Sequence, residues 1–208
     1  MSDDDASAGS AAAHEVVLIR HGETEWSRSG RHTGRADVAL TDVGRHEAAR
    51  LAGLLAGRTF GLVLCSPLAR ARETYGLSGI GRAAESSDDL MEWDYGVYEG
   101  VSTAEVRRTI PGWTVWTHPI TGGESVEEVG VRADRVIGRT DLTEGDVALF
   151  AHGQFLRVLA ARWLGLSADH GRLLALGTAT VSSLGSERET RVIRTWNQAA
   201  SPVDMRES

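Results

Sequence analysis

Three short stretches of the chain are apolar almost without interruption: Val16 to Ile19, Leu62 to Cys65 and Val147 to Phe150. A strand with one face in water alternates apolar and polar residues. Continuous runs of this length, rich in valine, leucine and isoleucine, therefore predict strands covered on both faces, the pattern of a parallel sheet. Amphipathic segments separate them. Thr41 can cap a helix in which Leu51, Leu54 and Leu55 share one side. Ser66-Pro67 offers an N-cap followed by proline at the first helical position. Ser102-Thr103-Ala104-Glu105 and Ser125-Val126-Glu127-Glu128 both match the capping box, and the first of these helices should stop before Pro111. Beyond His152, the residues Phe155, Val158, Leu159 and Trp163 fall on one helical stripe that Gly165 can terminate. Two further strands, Thr180 to Leu184 and Arg191 to Thr195, flank Gly185 to Arg188 and predict a hairpin. Alternating strands and helices predict an α/β fold, a three-layer α/β/α sandwich around a mostly parallel sheet. The domain is expected over residues 15–197, with residues 1–14 a flexible acidic tail and 198–208 a flexible C-terminal tail.

Composition narrows the setting. The 208 residues suit one domain, and 41% hydrophobic with 25% charged residues is ordinary for a globular protein. No apolar run approaches the roughly 20 residues that would span a bilayer, so no membrane partner is expected. The acidic start of the chain lacks the basic end and apolar middle of a signal peptide. The single cysteine, Cys65, excludes an intramolecular disulfide and predicts a cytoplasmic protein. A net charge of -7 argues against nucleic acid as a partner, since phosphate backbones require a cationic surface. It leaves room for a local cluster of arginines.

That cluster is where the strand ends become informative. In an open parallel sheet the ligand site lies at the carboxyl ends of the strands. The first predicted strand ends in Arg20-His21-Gly22, the second leads through Ser66-Pro67 to Arg70, and the third ends in His152-Gly153. Parallel strands would gather two histidines and two arginines at one rim, and Gly22 and Gly153 would let backbone amides approach a ligand. Taken singly, each residue reads as a structural hydrogen-bonder. Together they describe a phosphate site, with arginine forks for the oxygens, helix N-termini adding positive charge and histidines available for chemistry.

The motifs around these residues resemble the histidine phosphatase superfamily, the group that contains cofactor-dependent phosphoglycerate mutases and many small-molecule phosphatases. The resemblance covers residues 15 to 197. It rests on Arg20-His21-Gly22-Glu23-Thr24-Glu25-Trp26, Thr33-Gly34 with Asp37, Leu40, Thr41 and Gly44, the block Ser66 to Thr74, Glu92-Trp93-Asp94-Tyr95-Gly96 with Tyr98-Glu99-Gly100, and Ala151-His152-Gly153. The resemblance implies that His21 is the nucleophile that becomes phosphorylated. It implies that Arg20, Arg70 and His152 surround the phosphoryl group, and that Glu92 protonates the leaving oxygen and then activates water. Neutral imidazole is a competent nucleophile near neutral pH, and a phosphohistidine divides one difficult displacement into two easier ones. No cofactor is expected, and no metal, because the chain has no cysteine pair, spaced histidine pair or Asp-rich loop.

Departures from the mutase pattern favour hydrolysis. Mutases carry Asn after the signature Trp, where this chain has Ser27, and Arg-His-Tyr-Gly after the catalytic Glu, where it has Trp93-Asp94-Tyr95-Gly96. The acid-bearing block is similar to that of actinobacterial acid phosphatases and of a fungal-type sedoheptulose bisphosphatase. The resemblance thus implies a phosphoric monoester hydrolase acting on a small phosphorylated metabolite, sugar phosphates included. Phosphoglycerate mutase-type transfer is the alternative, and a non-catalytic phospho-ligand binding module ranks below both. Gly22, Ser27, Thr33, Trp93, Tyr95, Gly153 and Gln154 are the expected substrate-binding residues, with Trp93, Tyr95, Tyr98, Trp113 and Trp116 as candidate aromatic walls. His14, His32, His46 and His170 have no motif support and are expected at the surface.

Overall fold

A computed structural model describes residues 14–200. The two expected tails therefore lie almost wholly outside the described residues. Six strands form one sheet: β1 (Val16–Arg20), β2 (Leu62–Cys65), β3 (Glu85–Ser86), β4 (Val147–Ala151), β5 (Thr180–Glu187) and β6 (Thr190–Ala199). Their spatial order is β3-β2-β4-β1-β5-β6. The first four are mutually parallel, and β5 and β6 add an antiparallel edge beside β1.

The helices are α1 (Glu25–Arg28), α2 (Asp42–Leu55), α3 (Ala69–Leu77), α4 (Thr103–Val106), α5 (Val126–Asp141) and α6 (Gly153–Trp163). Successive strand residues point to opposite faces, and here each face has its own cover. Val17, Ile19, Val63, Cys65, Ala148 and Phe150 pack with Leu51, Leu55 and Ala71 from α2 and α3. Val16, Leu18, Leu62, Leu64, Val147 and Leu149 pack with Val129, Ala133, Phe155 and Leu156 from α5 and α6. Both sides of the pleat are dry, which is why the three central strands are apolar throughout. Burying one such valine or leucine is worth roughly 1.5–3 kcal/mol, so the central strands anchor everything attached to their ends.

The register brings those ends level. Val16 and Leu62 both pair with Val147, while Arg20 pairs with Ala151 and Cys65 with Phe150. Arg20-His21, Ser66 and His152 thus leave the sheet side by side. Thr41, Ser102 and Ser125 cap α2, α4 and α5, the last two with full capping boxes.

Three local expectations change. The helix after β2 begins at Ala69 with Leu68 as its N-cap, because the Ser66 hydroxyl is engaged elsewhere. The final hairpin turns later, at Arg188-Glu189, with Arg188 in the left-handed region (φ 54°). The last strand also runs on to Ala199, paired with Thr180, beyond its expected end at Thr195. Among the described residues no helix is long and apolar enough to cross a membrane.

Candidate active site

The carboxyl rim of the sheet opens into a cleft of about 250 Å³ whose lining includes Arg20, His21, Glu92, Tyr95, Gly153 and Gln154. His21 is buried at its floor, with Nδ1 2.7 Å from the Gly22 carbonyl. A carbonyl only accepts, so Nδ1 carries the proton and Nε2 keeps its lone pair. His152 stands beside it, ring centroids 5.2 Å apart and planes tilted by 57°. Its Nδ1 accepts from Arg70 Nε at 3.1 Å, so Nε2 is the protonated nitrogen and donates to Ser66 Oγ at 2.7 Å. Burial first, then the neighbouring Arg70 and Arg20 guanidiniums, hold His21 well below the usual imidazole range. Burial and Arg70 do the same to His152. Both rings are neutral near pH 7.

The two motif arginines occupy different depths. Arg70 is wholly buried under the floor, where Nη1 donates to Ala36 O (2.8 Å) and Nη2 to Thr33 O (3.2 Å) and Gly34 O (2.9 Å). It pins the 33–36 loop to α3 and brings positive charge beneath the two imidazoles. Arg20 faces the cleft. Its Nη1 donates to Leu176 O, and its buried Nε has no hydrogen-bond partner among the described residues. A guanidinium N–H left unpaired in a buried position is costly unless an acceptor reaches it. A phosphate oxygen is such an acceptor.

Glu92 is buried and sits at the start of α6. Oε1 accepts from Trp93 N (2.9 Å) and Phe155 N (2.8 Å), and Oε2 from Gln154 N (2.9 Å). A helix N-terminus presents unpaired N–H groups and partial positive charge, which fixes the carboxyl group at one wall of the cleft. Among the described residues no three His, Cys, Asp or Glu side chains group as a metal site would require.

Several side chains lie elsewhere than their sequence suggested. Trp93, an expected substrate wall, is fully buried in the core, its Nε1 donating to Glu124 O at 2.8 Å and its ring edge-on to Trp116. Trp113 is also fully buried. Gly22 is required by chain packing, since a Cβ there would stand 2.3 Å from the Gly44 carbonyl oxygen. Gly153 makes room for a side chain, since its Cβ would press on the Arg20 guanidinium at 3.1 Å. Ser27 lines the cleft, yet its hydroxyl closes the capping box of α1 with Thr24. Thr33, Tyr95 and Gln154 do line the cleft.

His32, expected at the surface, also lines it, within hydrogen-bonding distance of Thr103 Oγ1 (3.2 Å) and packed on Tyr95 and Trp113; burial lowers its pKa to about 4. Two more residues had no expected role at the site, the sequence marking Ser66 only as a helix cap. Ser66 fixes His152, and Arg157 joins the cleft wall. The only available signal for Arg157 was its place one turn after Gly153 on α6, facing the same way.

Comparison with known proteins agrees with this geometry. The family model of the histidine phosphatase superfamily (branch 1) matches residues 16–199. The chain is 42% identical to an acid phosphatase of Mycobacterium tuberculosis, over 86% of this chain and 89% of that protein. It is 35% identical to the sedoheptulose 1,7-bisphosphatase of Saccharomyces cerevisiae, over 72% and 67% respectively. A solved structure of mycobacterial glucosyl-3-phosphoglycerate phosphatase in complex with VO3 superposes with a TM-score of 0.82 at 27% identity, covering 90% of this chain and 100% of that one. With the fold, the rim and the motif blocks all in agreement, the chain belongs to branch 1 of the histidine phosphatase superfamily.

Proposed function

We propose that this phosphoric monoester hydrolase acts on small phosphomonoesters, sugar phosphates included, by passing the phosphoryl group to His21 and then to water without a metal. The observation that carries this reading is the state of His21. Burial and the nearby Arg70 and Arg20 keep it neutral, and its Nδ1 proton is committed to the Gly22 carbonyl. Among the described residues neither its Nε2 lone pair nor the Arg20 Nε–H of the same cleft has a hydrogen-bond partner. In the first step the Nε2 lone pair forms the N–P bond while the ester P–O bond breaks, and Glu92 supplies a proton to the departing oxygen. In the second, Glu92 takes a proton from water, the hydroxyl oxygen bonds to phosphorus, and the N–P bond breaks to return neutral His21 and inorganic phosphate. Glu92 Oε2 receives one backbone N–H against two at Oε1, so Oε2 is the oxygen better able to carry the proton. Arg20 meets the phosphoryl oxygens from the cleft wall, while Arg70 beneath the floor adds positive charge and holds His152 beside His21, meeting the main demand of phosphoryl transfer. The activities of the relatives, two of them on phosphorylated sugar derivatives, support the substrate class. A cytoplasmic location rests on the lone cysteine, a buried thiol that burial pushes up to about 12.

The test is phosphate release across a panel of phosphomonoesters in the presence of a chelator, with His21→Ala as control. Release that survives chelation and disappears with the substitution is expected. Release that needs added metal would overturn the proposal, as would isomerisation of 3-phosphoglycerate without net release.

A further inference from the structure

Assigning Arg20 and Arg70 to the transferred phosphoryl group leaves two cations of the cleft lining, Arg31 and Arg157, unassigned, and Arg157 is the one whose guanidinium is fixed by hydrogen bonds. Arg157 lines the same cleft as Glu92, Tyr95 and Gln154. Its guanidinium is held from four directions. Nε donates to Gly171 O (3.1 Å), Nη1 to Gln154 Oε1 (2.6 Å) and Nη2 to Arg172 O (3.1 Å), and the group lies over the Trp116 ring at 4.9 Å. The three acceptors are two main-chain carbonyls and one amide, none of which carries charge. A guanidinium has five N–H bonds. Three are used here and two remain, one on Nη1 and one on Nη2, available to the oxygens of an anion.

Gln154 sharpens the point. Because its Oε1 accepts from Arg157, its amide nitrogen is oriented as a further donor on the cleft wall. Glu92, the carboxylate of this region, has its oxygens on backbone N–H groups of α6 and of Trp93. The Trp116 stack and the three hydrogen bonds also immobilise Arg157 before any ligand arrives, so little side-chain freedom is lost on binding.

We propose that Arg157, with the Gln154 amide, anchors a second anionic group of the substrate, a phosphate or a carboxylate carried away from the scissile phosphate. The proposal rests on the phosphatase reading above and narrows it, from phosphomonoesters in general to substrates that present two anions. Trp93, which stands where mutases carry Arg, is buried in the core, and Asp94 after it accepts from Gly96 N and faces Arg35. Positive charge in this part of the cleft comes from Arg157 on α6.

The experiment measures equilibrium binding to the His21→Ala protein, which cannot turn ligands over, with ligand pairs that differ by one charged group. One pair is fructose 1,6-bisphosphate and fructose 1-phosphate; the other is 3-phosphoglycerate and glycerol 3-phosphate. The doubly charged member is expected to bind tighter, and adding Arg157→Gln should shrink that advantage by roughly 10–100-fold, the range of a charge-assisted hydrogen-bonded pair. Arg157→Lys, which keeps the charge and loses the fork, should recover part of it. The pair with the larger change identifies phosphate or carboxylate. An equal loss for both members, or no advantage for either doubly charged ligand with Arg157 intact, would overturn the proposal. Because binding is read without turnover, a selective loss found in a protein that releases no phosphate would separate failure of the hydrolase reading from failure of this one.

Discussion

The same sequence ending, His-Gly after an apolar strand, produces two different histidines. His21 leaves β1 with one nitrogen bonded to its own neighbour's carbonyl and the other without a partner among the described residues. His152 leaves β4 with both nitrogens engaged, one by Arg70 and one by Ser66, 82 and 86 residues away. Both rings are neutral and buried, so neither charge nor exposure separates them. Hydrogen-bond partners do: a nucleophile needs a free lone pair, whereas a ring with both nitrogens occupied is a fixed donor. The glycines that follow diverge in the same way, Gly22 giving space to the Gly44 backbone and Gly153 to the Arg20 side chain.

The sharpest way to break this comparison is to exchange the roles. His21→Ala should lower kcat by at least about 10³-fold and eliminate acid-labile phosphoenzyme in quenched reactions, because no other side chain supplies the covalent step. His152→Ala should slow turnover yet still trap phosphoenzyme. The reverse pattern would reassign the nucleophile.

Glu92→Gln comes next, with a loss of about 10²–10⁴-fold on alkyl phosphates. On p-nitrophenyl phosphate the loss should be smaller in the phosphorylation step, since that leaving group needs little protonation. A loss independent of leaving group, measured by single-turnover kinetics, would remove Glu92 as the acid.

Ser66→Ala tests what fixes His152. One hydrogen bond worth about 1 kcal/mol corresponds to roughly a fivefold drop in kcat/KM, with phosphoenzyme formation intact. An unchanged rate would mean that Arg70 alone orients the ring.

The smallest effect concerns pH. Both imidazoles are held well below the usual range by burial and by Arg70, so protonation, which would silence the nucleophile, should set in only below about 6.5. Imidazole nitrogen resonances in an NMR titration should show both rings still neutral at pH 6. A midpoint near the ordinary histidine value for His21 would contradict the buried geometry.

Much of the fold was legible because its signals are local. Strands covered on both faces need apolar residues at every position, and Val16 to Ile19 or Val147 to Phe150 report that directly. Capping boxes at Ser102 and Ser125 are four-residue patterns that close on themselves. The rim was legible too, since strand ends of a parallel sheet converge whatever the helices between them do. Trp93 was not. It shares a motif with Tyr95 two residues on, yet Tyr95 lines the cleft and Trp93 enters the core, because Glu124 O offers its indole N–H a partner 31 residues away. His32 misled for the opposite reason: a lone histidine in a polar loop looks solvated until Tyr95 and Trp113 close over it.

The sequence by itself therefore determined the central strands, the order of layers and the set of groups brought to one rim, because uninterrupted apolar runs and short-range caps require no knowledge of distant residues. Only the tertiary structure decided which histidine keeps a free nitrogen, which arginine lies beneath the floor and which faces the cleft, and that Arg157 stands in its wall. Each of those outcomes depends on a hydrogen-bond partner or packing surface supplied from elsewhere in the chain, and side chains of one type take whichever role their neighbours leave open.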